Sequence, residues 1–331
     1  MNYIGSKHTL SDFIYKTVVK KCGKDLSQKV FCDLFAGTGI VGRTFKGKAK
    51  QIIANDVEYY SYVLNRNYIG NHKSFEYKPL LEELNALPGI KGFIFENYAA
   101  GGRGNRNYFT SENGQKIDAV RQKINQWKAE NKIDENQYFF LIASLLESAD
   151  KVANTASVYG AYLKHIKKSA QKPMILSPAL FEITENPHLV YCEDSNELIK
   201  KIEGDILYLD PPYNARQYGA NYHLLTTIAK YDTFVPQGKT GLRKYYKSDW
   251  CRRGTVLNSF EELIKNANFK YIFLSYNNEG LMSEAQVRNL MKKYGNYELV
   301  TKKYRRFKAD KTENRNHKAS ITYEYLHILE K

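Results

Sequence analysis

The run Val30-Phe31-Cys32-Asp33-Leu34-Phe35 is apolar apart from Asp33, stops at Ala36-Gly37-Thr38-Gly39, and restarts as Ile40-Val41-Gly42-Arg43-Thr44-Phe45. A short apolar run bounded by glycines reads as a buried strand, and the segment behind the glycines reads as a helix. A second run, Gln51-Ile52-Ile53-Ala54, ends at Asn55-Asp56, and a tyrosine-rich helix is expected over residues 57–69. Strand, glycine turn, helix and strand make a βαβ start, which commits the chain to the α/β class.

The alternation resumes far downstream. Leu189-Val190-Tyr191-Cys192 reads as a strand, followed by acidic Glu193-Asp194, a helix near 195–202 and the strand Asp205-Ile206-Leu207-Tyr208-Leu209. That strand delivers Asp210-Pro211-Pro212-Tyr213. Another strand is expected at Tyr271-Ile272-Phe273-Leu274-Ser275, with a helix from about 283 to 294. Glu298-Leu299-Val300 and the run from Ile321 to Leu329 read as the paired strands of a closing hairpin, with a basic segment between them. From 72 to 190 the chain has helical patterns, at 115–130 and 136–150, but little that reads as a strand of the same sheet. A flexible basic loop, Gly101-Gly102-Arg103-Gly104-Asn105-Arg106-Asn107, is expected there.

The expected organisation is therefore a sheet-bearing domain from residues 1–74 and 186–331, a mainly helical region inserted at 75–185, and a second insert at 214–260. A length of 331 residues accommodates this. The sheet should be open, mixed and mainly parallel, with its site at the carboxyl ends of the strands.

Composition narrows the partners. Fifty Lys and Arg against 35 Asp and Glu give a net charge of +15, a footprint for a polyanion that a merely soluble basic surface would share. Cys22, Cys32, Cys192 and Cys251 form no Cys-x-x-Cys pair, so neither a zinc site nor a disulfide framework is indicated. We expect no bound metal. Reduced thiols, an N-terminus without a signal-peptide core and no stretch long enough to span a bilayer point to the cytoplasm and away from membranes.

Gly37-Thr38-Gly39-Ile40-Val41-Gly42 satisfies G-x-G-x-x-G, and Asp56 lies where an acid can accept both hydroxyls of a ribose. A nucleoside-bearing cofactor fits, and so far a nicotinamide-dependent dehydrogenase or a ligand-free turn fits as well. Asp210-Pro211-Pro212-Tyr213 discriminates. Two prolines end the ladder and stiffen the loop, because both lack N–H groups and have a locked φ. The Asp210 carboxylate and a proline carbonyl oxygen can then accept from an exocyclic amine, and Tyr213 can stack on its base. An aromatic amine is a weak nucleophile, so acceptors that localise its lone pair lower the barrier as positive charge develops. A dehydrogenase has no use for this loop. A base in a duplex must be flipped out to reach it, at a cost of a few kcal/mol.

At this point the residues resemble the D12 class of adenine-specific DNA methyltransferases, which includes Dam-type enzymes and many restriction-modification methylases. Tyr3-Ile4-Gly5-Ser6-Lys7 is similar to the family's N-terminal aromatic-x-Gly-x-Lys segment, Asp33 to Gly39 to its methionine-binding loop, and Asp210 to Tyr213 to its catalytic motif. The order, with a long insertion between cofactor loop and catalytic loop, also matches. The resemblance implies a Rossmann-like fold using S-adenosyl-L-methionine as cofactor. Tyr3 and Lys7 would lie near it, Asp33, Phe35, Ala36, Gly37, Thr38 and Gly39 around its methionine moiety, and Asp56 on its ribose. Asp194 would accept from its adenine N6, and Asp210 would border it while serving catalysis with Pro211, Pro212 and Tyr213. Two departures are Tyr3, where Dam-type enzymes commonly carry Trp, and the long insert after the catalytic loop.

The resemblance also implies duplex DNA as partner, sequence reading by the insertion, and a cognate restriction endonuclease. N4-cytosine methylation, RNA adenine methylation and a non-catalytic DNA-binding role on the same fold are the alternatives. Cytosine C5 chemistry is disfavoured because no cysteine follows a proline. Asn154 to Lys164 is expected as a loop near the substrate. Backbone contacts are expected from the basic-aromatic run Arg243 to Arg253 and from Lys302, Lys303, Arg305, Arg306, Lys308, Lys311, Arg315 and Lys318. Replacing Arg305 and Arg306 by alanine should weaken DNA binding and flatten its salt dependence by about two phosphate contacts. An unaltered slope of affinity against salt would remove them from the interface.

Overall fold

Val30–Asp33 (β1) pairs in parallel with Gln51–Asn55 (β2) on one side and with Glu203–Leu209 (β4) on the other. Leu189–Tyr191 (β3) adds in parallel outside β2, and Asn268–Asn277 (β5) adds in parallel outside β4. Asn296–Arg305 (β6) and Ile321–Glu330 (β7) close the sheet as antiparallel partners, with β7 against β5. The order is β3-β2-β1-β4-β5-β7-β6. This is the mixed, mainly parallel sheet of a Rossmann-like fold, with its order reversing between β1 and β4, where such sheets open a crevice at their carboxyl edge.

The sheet is apolar because it is covered. Phe31, Ile52, Ile206, Leu207, Ile272 and Phe273 are all fully buried. Phe31 stacks on Phe45 at 4.0 Å between ring centroids, which docks the helix Ile40–Lys46 onto β1. The last strand is the expected Ile321–Leu329 run with one residue added, whereas β6 runs to ten residues, well beyond the Glu298–Val300 core legible in sequence, because charged residues such as Lys302 and Lys303 interrupt the apolar pattern of this edge strand.

The computed structural model describes residues 7–305 and 321–331, and the side chains of 304, 305, 321 and 322 are not among those described. Tyr3 and most of the basic segment, Arg306 to Lys318, therefore lie outside the described residues, as does the Arg305 side chain. The chain divides into two compact units: one holds Glu58–Glu185 and Tyr218–Tyr245, the other the sheet with residues 7–57, Asn186–Gln217 and Tyr246–Lys331. These limits differ from the expected ones. The insertion begins at 58 rather than 75, since Tyr60, Val63, Leu64 and Tyr68 join the core of the helical unit. The second insert is split: Tyr218–Tyr245 adds Tyr222, Leu224 and Ile228 to that same core, whereas Trp250, Val256 and Phe260 are buried beneath the sheet.

Helix starts in the helical unit follow side-chain caps. Thr110 accepts from the Asn113 N–H ahead of Ser111–Ala129, and Asp134 forms a reciprocal capping box with Gln137 ahead of Glu135–Lys151. Two expectations about surface segments change, and a third segment is the loop that was expected. The loop from Gly101 to Asn107 is packed rather than flexible: Arg106 donates to the carbonyls of Asn97, Gly238 and Lys239. Arg243 forms a bidentate pair with Asp232 and lies over Phe234, so it is a structural cation. In the run to Arg253 only Lys244, Lys247, Arg252 and Arg253 remain as exposed cations, and Arg252 pairs with Asp249. The segment from Asn154 is anchored as well, with Tyr159 buried and its hydroxyl donating to Asp150 at 2.8 Å.

A Cβ at Gly102 would stand 2.1 Å from the Phe95 carbonyl oxygen. Backbone cannot yield as a side-chain end can, so Gly102→Ala should lower the stability of the helical unit by about 1–3 kcal/mol, read as a fall in thermal midpoint. A midpoint equal to that of the parent would mean the loop has room.

Candidate active site

Four acids stand at one edge of the sheet because β1 to β4 run parallel. Asp33 ends β1, Asp56 follows β2, Asp194 follows β3 and Asp210 follows β4. Asn55 staples three of these strand ends together. Its amide donates to the Leu34 and Glu193 carbonyls at 3.2 and 3.1 Å and accepts from the Glu193 N–H at 3.0 Å. The glycine turn lies directly above. Gly37 and Gly39 have φ of 53° and 76°, left-handed values that side chains resist, and Thr38 lies between them. Ala36 N–H donates to Asn55 O at 2.8 Å, and Gly37 N–H donates to Asp56 Oδ2 at 2.8 Å. Loop and acid thus fix one another.

Asp33 is the most buried of the four, at 1% exposure. Oδ2 accepts the Gly42 N–H at 2.9 Å, while Oδ1 has no hydrogen-bond partner among the described residues. Burial pushes its carboxyl up to about 7; the Gly42 bond opposes this, and the nearby Asp210 and Asp56 charges add to it. A buried carboxylate oxygen without a donor favours a cationic ligand.

Asp210 is held from the opposite direction. The Lys7 ammonium, at 7% side-chain exposure, lies 2.9 Å from Asp210 Oδ1 and 3.1 Å from Glu324 Oε1. The contact to Asp210 is an ion pair without the angles of a directed hydrogen bond. Ser275 Oγ donates to Glu324 Oε1 at 2.5 Å. Desolvation is the largest influence on Asp210 and raises its carboxyl to about 6; Lys7 pulls it back down and Glu324 pushes it up. The side chain keeps 17% exposure, which agrees with a moderate rise rather than that of a fully dry acid. On Lys7 the two carboxylates prevail over burial and hold the ammonium protonated.

Pro211 is buried, and Pro212 carries the chain out to Tyr213. Tyr213 O accepts from Leu281 N–H at 3.1 Å, its ring stands edge-on to Tyr276 at 6.5 Å, and Lys7 Nζ is 5.7 Å from the ring centre. The ring is thereby placed beside the Asp210 carboxylate. At the β3 end, Asp194 caps the short helix Ser195–Leu198 through Oδ1 and accepts the Tyr246 hydroxyl on Oδ2 at 2.7 Å. Phe35 meets the edge of buried Trp250 at 5.0 Å.

The structure thus brings Lys7, Asp33, Phe35, Ala36, Gly37, Thr38, Gly39, Asp56, Asp194 and Asp210 to Tyr213 to one sheet edge, and it adds Asn55, Tyr246, Ser275 and Glu324. Alternation in β7 puts Glu324 on the same face as the buried Leu326 and Ile328, the one signal that could have marked it as an inward acid. Asp33 gives a test of this electrostatic arrangement. Its carboxyl binds a proton more tightly folded than unfolded, so its contribution to stability is full below about pH 4 and is lost as pH rises through about 7. Asp33→Asn should therefore raise the thermal midpoint at pH 8 by the equivalent of about 2 kcal/mol, a gain that shrinks toward pH 4. A variant no more stable than the parent at pH 8 would contradict the orphaned charge.

Residues 3–290 match the family described as D12 class N6 adenine-specific DNA methyltransferase. The chain is 63% identical to the Type II methyltransferase M.NlaIII of Neisseria lactamica, over all of this chain and 99% of that protein. It is 40% identical to the Type II methyltransferase M.CviAII of Paramecium bursaria Chlorella virus 1, over 93% of each. Identity to the Type II methyltransferase M.FokI of Planomicrobium okeanokoites is 39%; there the whole chain matches about half of the relative, 53% of its length. The chain belongs to the D12 class of N6 adenine-specific DNA methyltransferases, enzymes whose methyl donor is S-adenosyl-L-methionine.

Proposed function

We propose that Asp210 and a proline carbonyl oxygen of the Pro211-Pro212 pair receive the N6 amine of a flipped adenine, with Tyr213 stacking on the base. The observation that carries this reading is the Lys7-paired Asp210 carboxylate at the end of β4, beside the reversal of strand order and next to the glycine turn. Lys7 engages Oδ1, which leaves Oδ2 to accept an amine hydrogen. As the amine attacks, positive charge grows on nitrogen, and an anion already in place stabilises it without reorganisation.

The residues opposite fit S-adenosyl-L-methionine. The left-handed Gly37 and Gly39 let backbone approach a ligand, and the orphaned Asp33 Oδ1 suits one that carries a positive charge. The bound cofactor supplies an electrophilic methyl group. In this reading Asp56 holds the ribose while keeping the Gly37 N–H, Phe35 packs against the methionine moiety, and Asp194 turns from Tyr246 toward the cofactor's adenine. Tyr3 is assigned to the same region by resemblance alone.

The helical unit reads the target sequence, and the exposed Lys244, Lys247, Arg252 and Arg253 track phosphates. Relatives named Type II methyltransferases support a place in a restriction-modification system with a cognate endonuclease. Four free cysteines accord with the cytoplasm, and among the described residues no helix is long and apolar enough to cross a membrane.

Asp210→Ala should abolish methyl transfer to duplex DNA, by about a thousandfold or more, while S-adenosyl-L-methionine affinity in calorimetry changes only a few fold. Activity near the parent's would remove Asp210 from the reaction. Asp56→Ala should instead weaken cofactor binding about tenfold or more, and unchanged affinity would remove its ribose role.

A further inference from the structure

We propose that Glu324 is a positioning residue for the methyl transfer, one that shares the Lys7 ammonium and so leaves the catalytic carboxylate a net anion. The proposal rests on the reading of Asp210 as the amine acceptor. Glu324 lies opposite Asn277 of β5 in the antiparallel register, two strands away from β4. Among the described residues only Lys7 spans the two carboxylates, at 2.9 and 3.1 Å, with Asp210, Glu324 and Lys7 side chains 17%, 4% and 7% exposed. Ser275 Oγ, on the intervening strand, fixes the same Glu324 oxygen that meets the lysine.

Charge counting gives the reason for a second acid. Lys7 with Asp210 alone would be a neutral pair, and in a poorly solvated site a neutral pair does little for a nitrogen becoming cationic. Lys7 between two carboxylates carries a net charge of minus one, which the transition state brings to zero. A buried ammonium also needs more than one acceptor for its three hydrogens. Glu324 supplies that acceptor from the sheet, so Asp210 does not have to turn both oxygens toward Lys7. Besides these two, the groups that face Asp210 electrostatically are the phenols of Tyr208 and Tyr213 and the carboxylate of Asp33.

The test is the pH dependence of kcat at saturating cofactor and DNA, with cofactor affinity and thermal midpoint measured alongside. Glu324→Gln removes the charge that pushes Asp210 up, so its acid limb should move below that of the parent by about half a pH unit or more. Its plateau kcat should fall roughly tenfold and its cofactor affinity should stay within about twofold. Ser275→Ala removes the hydroxyl that competes with Lys7 for Glu324; Lys7 then leans toward Glu324, and the acid limb should move upward. A merely structural glutamate would lower the midpoint and leave the limb of the folded enzyme where it is. Unmoved limbs, or a Glu324→Gln limb displaced upward, would overturn the proposal, and if Glu324→Gln does not fold, Ser275→Ala decides alone. Asp210→Asn separates the two claims. Activity in that variant defeats the reading of Asp210, whereas a dead Asp210→Asn beside an unmoved Glu324→Gln defeats Glu324 only.

Discussion

A lysine ammonium buried between two carboxylates ties together residue 7, the loop after β4 and the last strand of the sheet. Each of these charges alone would be costly to bury, by several kcal/mol, and a buried pair does not always repay that cost. Lys7 meets both acids, and Glu324 is further held by Ser275. The arrangement fixes a carboxylate at the reversal of strand order, where a parallel sheet offers its crevice, and aims it from a proline-stiffened loop.

The other half of the site is organised by donors rather than by a cation. Asn55 joins the ends of β1, β2 and β3, the Gly37 N–H binds Asp56, and the Gly42 N–H binds Asp33. Backbone amides at this turn restrain the acids without neutralising them, and Asp33 keeps one oxygen with no partner among the described residues. The two halves therefore differ in charge state. The Asp210 side shares one lysine between two carboxylates, whereas among the described residues the Asp33 side has no cationic partner.

Much of this was legible in the sequence because it depends on local pattern. Apolar runs at Val30, Gln51, Asp205 and Tyr271 became β1, β2, β4 and β5, and the glycine turn and the Asp-Pro-Pro-Tyr loop stand where strand ends put them. Partnership across long separations was not legible. Glu324 lies among strand residues that alternate apolar and polar, and nothing in its neighbourhood announces a lysine 317 positions earlier. Trp250 and Arg243 looked like a nucleic-acid surface because aromatic and basic residues serve packing equally well. Trp250 caps a core, and Arg243 is consumed by Asp232. The helix Tyr59–Asn65 went to the helical unit rather than the sheet, since its tyrosines find other aromatics there, Tyr60 against Tyr222 and Tyr62 against Phe139.

The central claim is that the acceptor of the target amine is a poorly solvated carboxylate kept in place by Lys7. Its most direct test is a carbon-13 NMR titration of aspartate carboxyls in the intact protein, with Asp210 assigned by comparison with Asp210→Asn. Titration near pH 6 is expected, since burial raises this carboxyl and Lys7 only partly restores it. Titration at the ordinary aspartate value near 4 would mean a solvated side chain and would contradict the account.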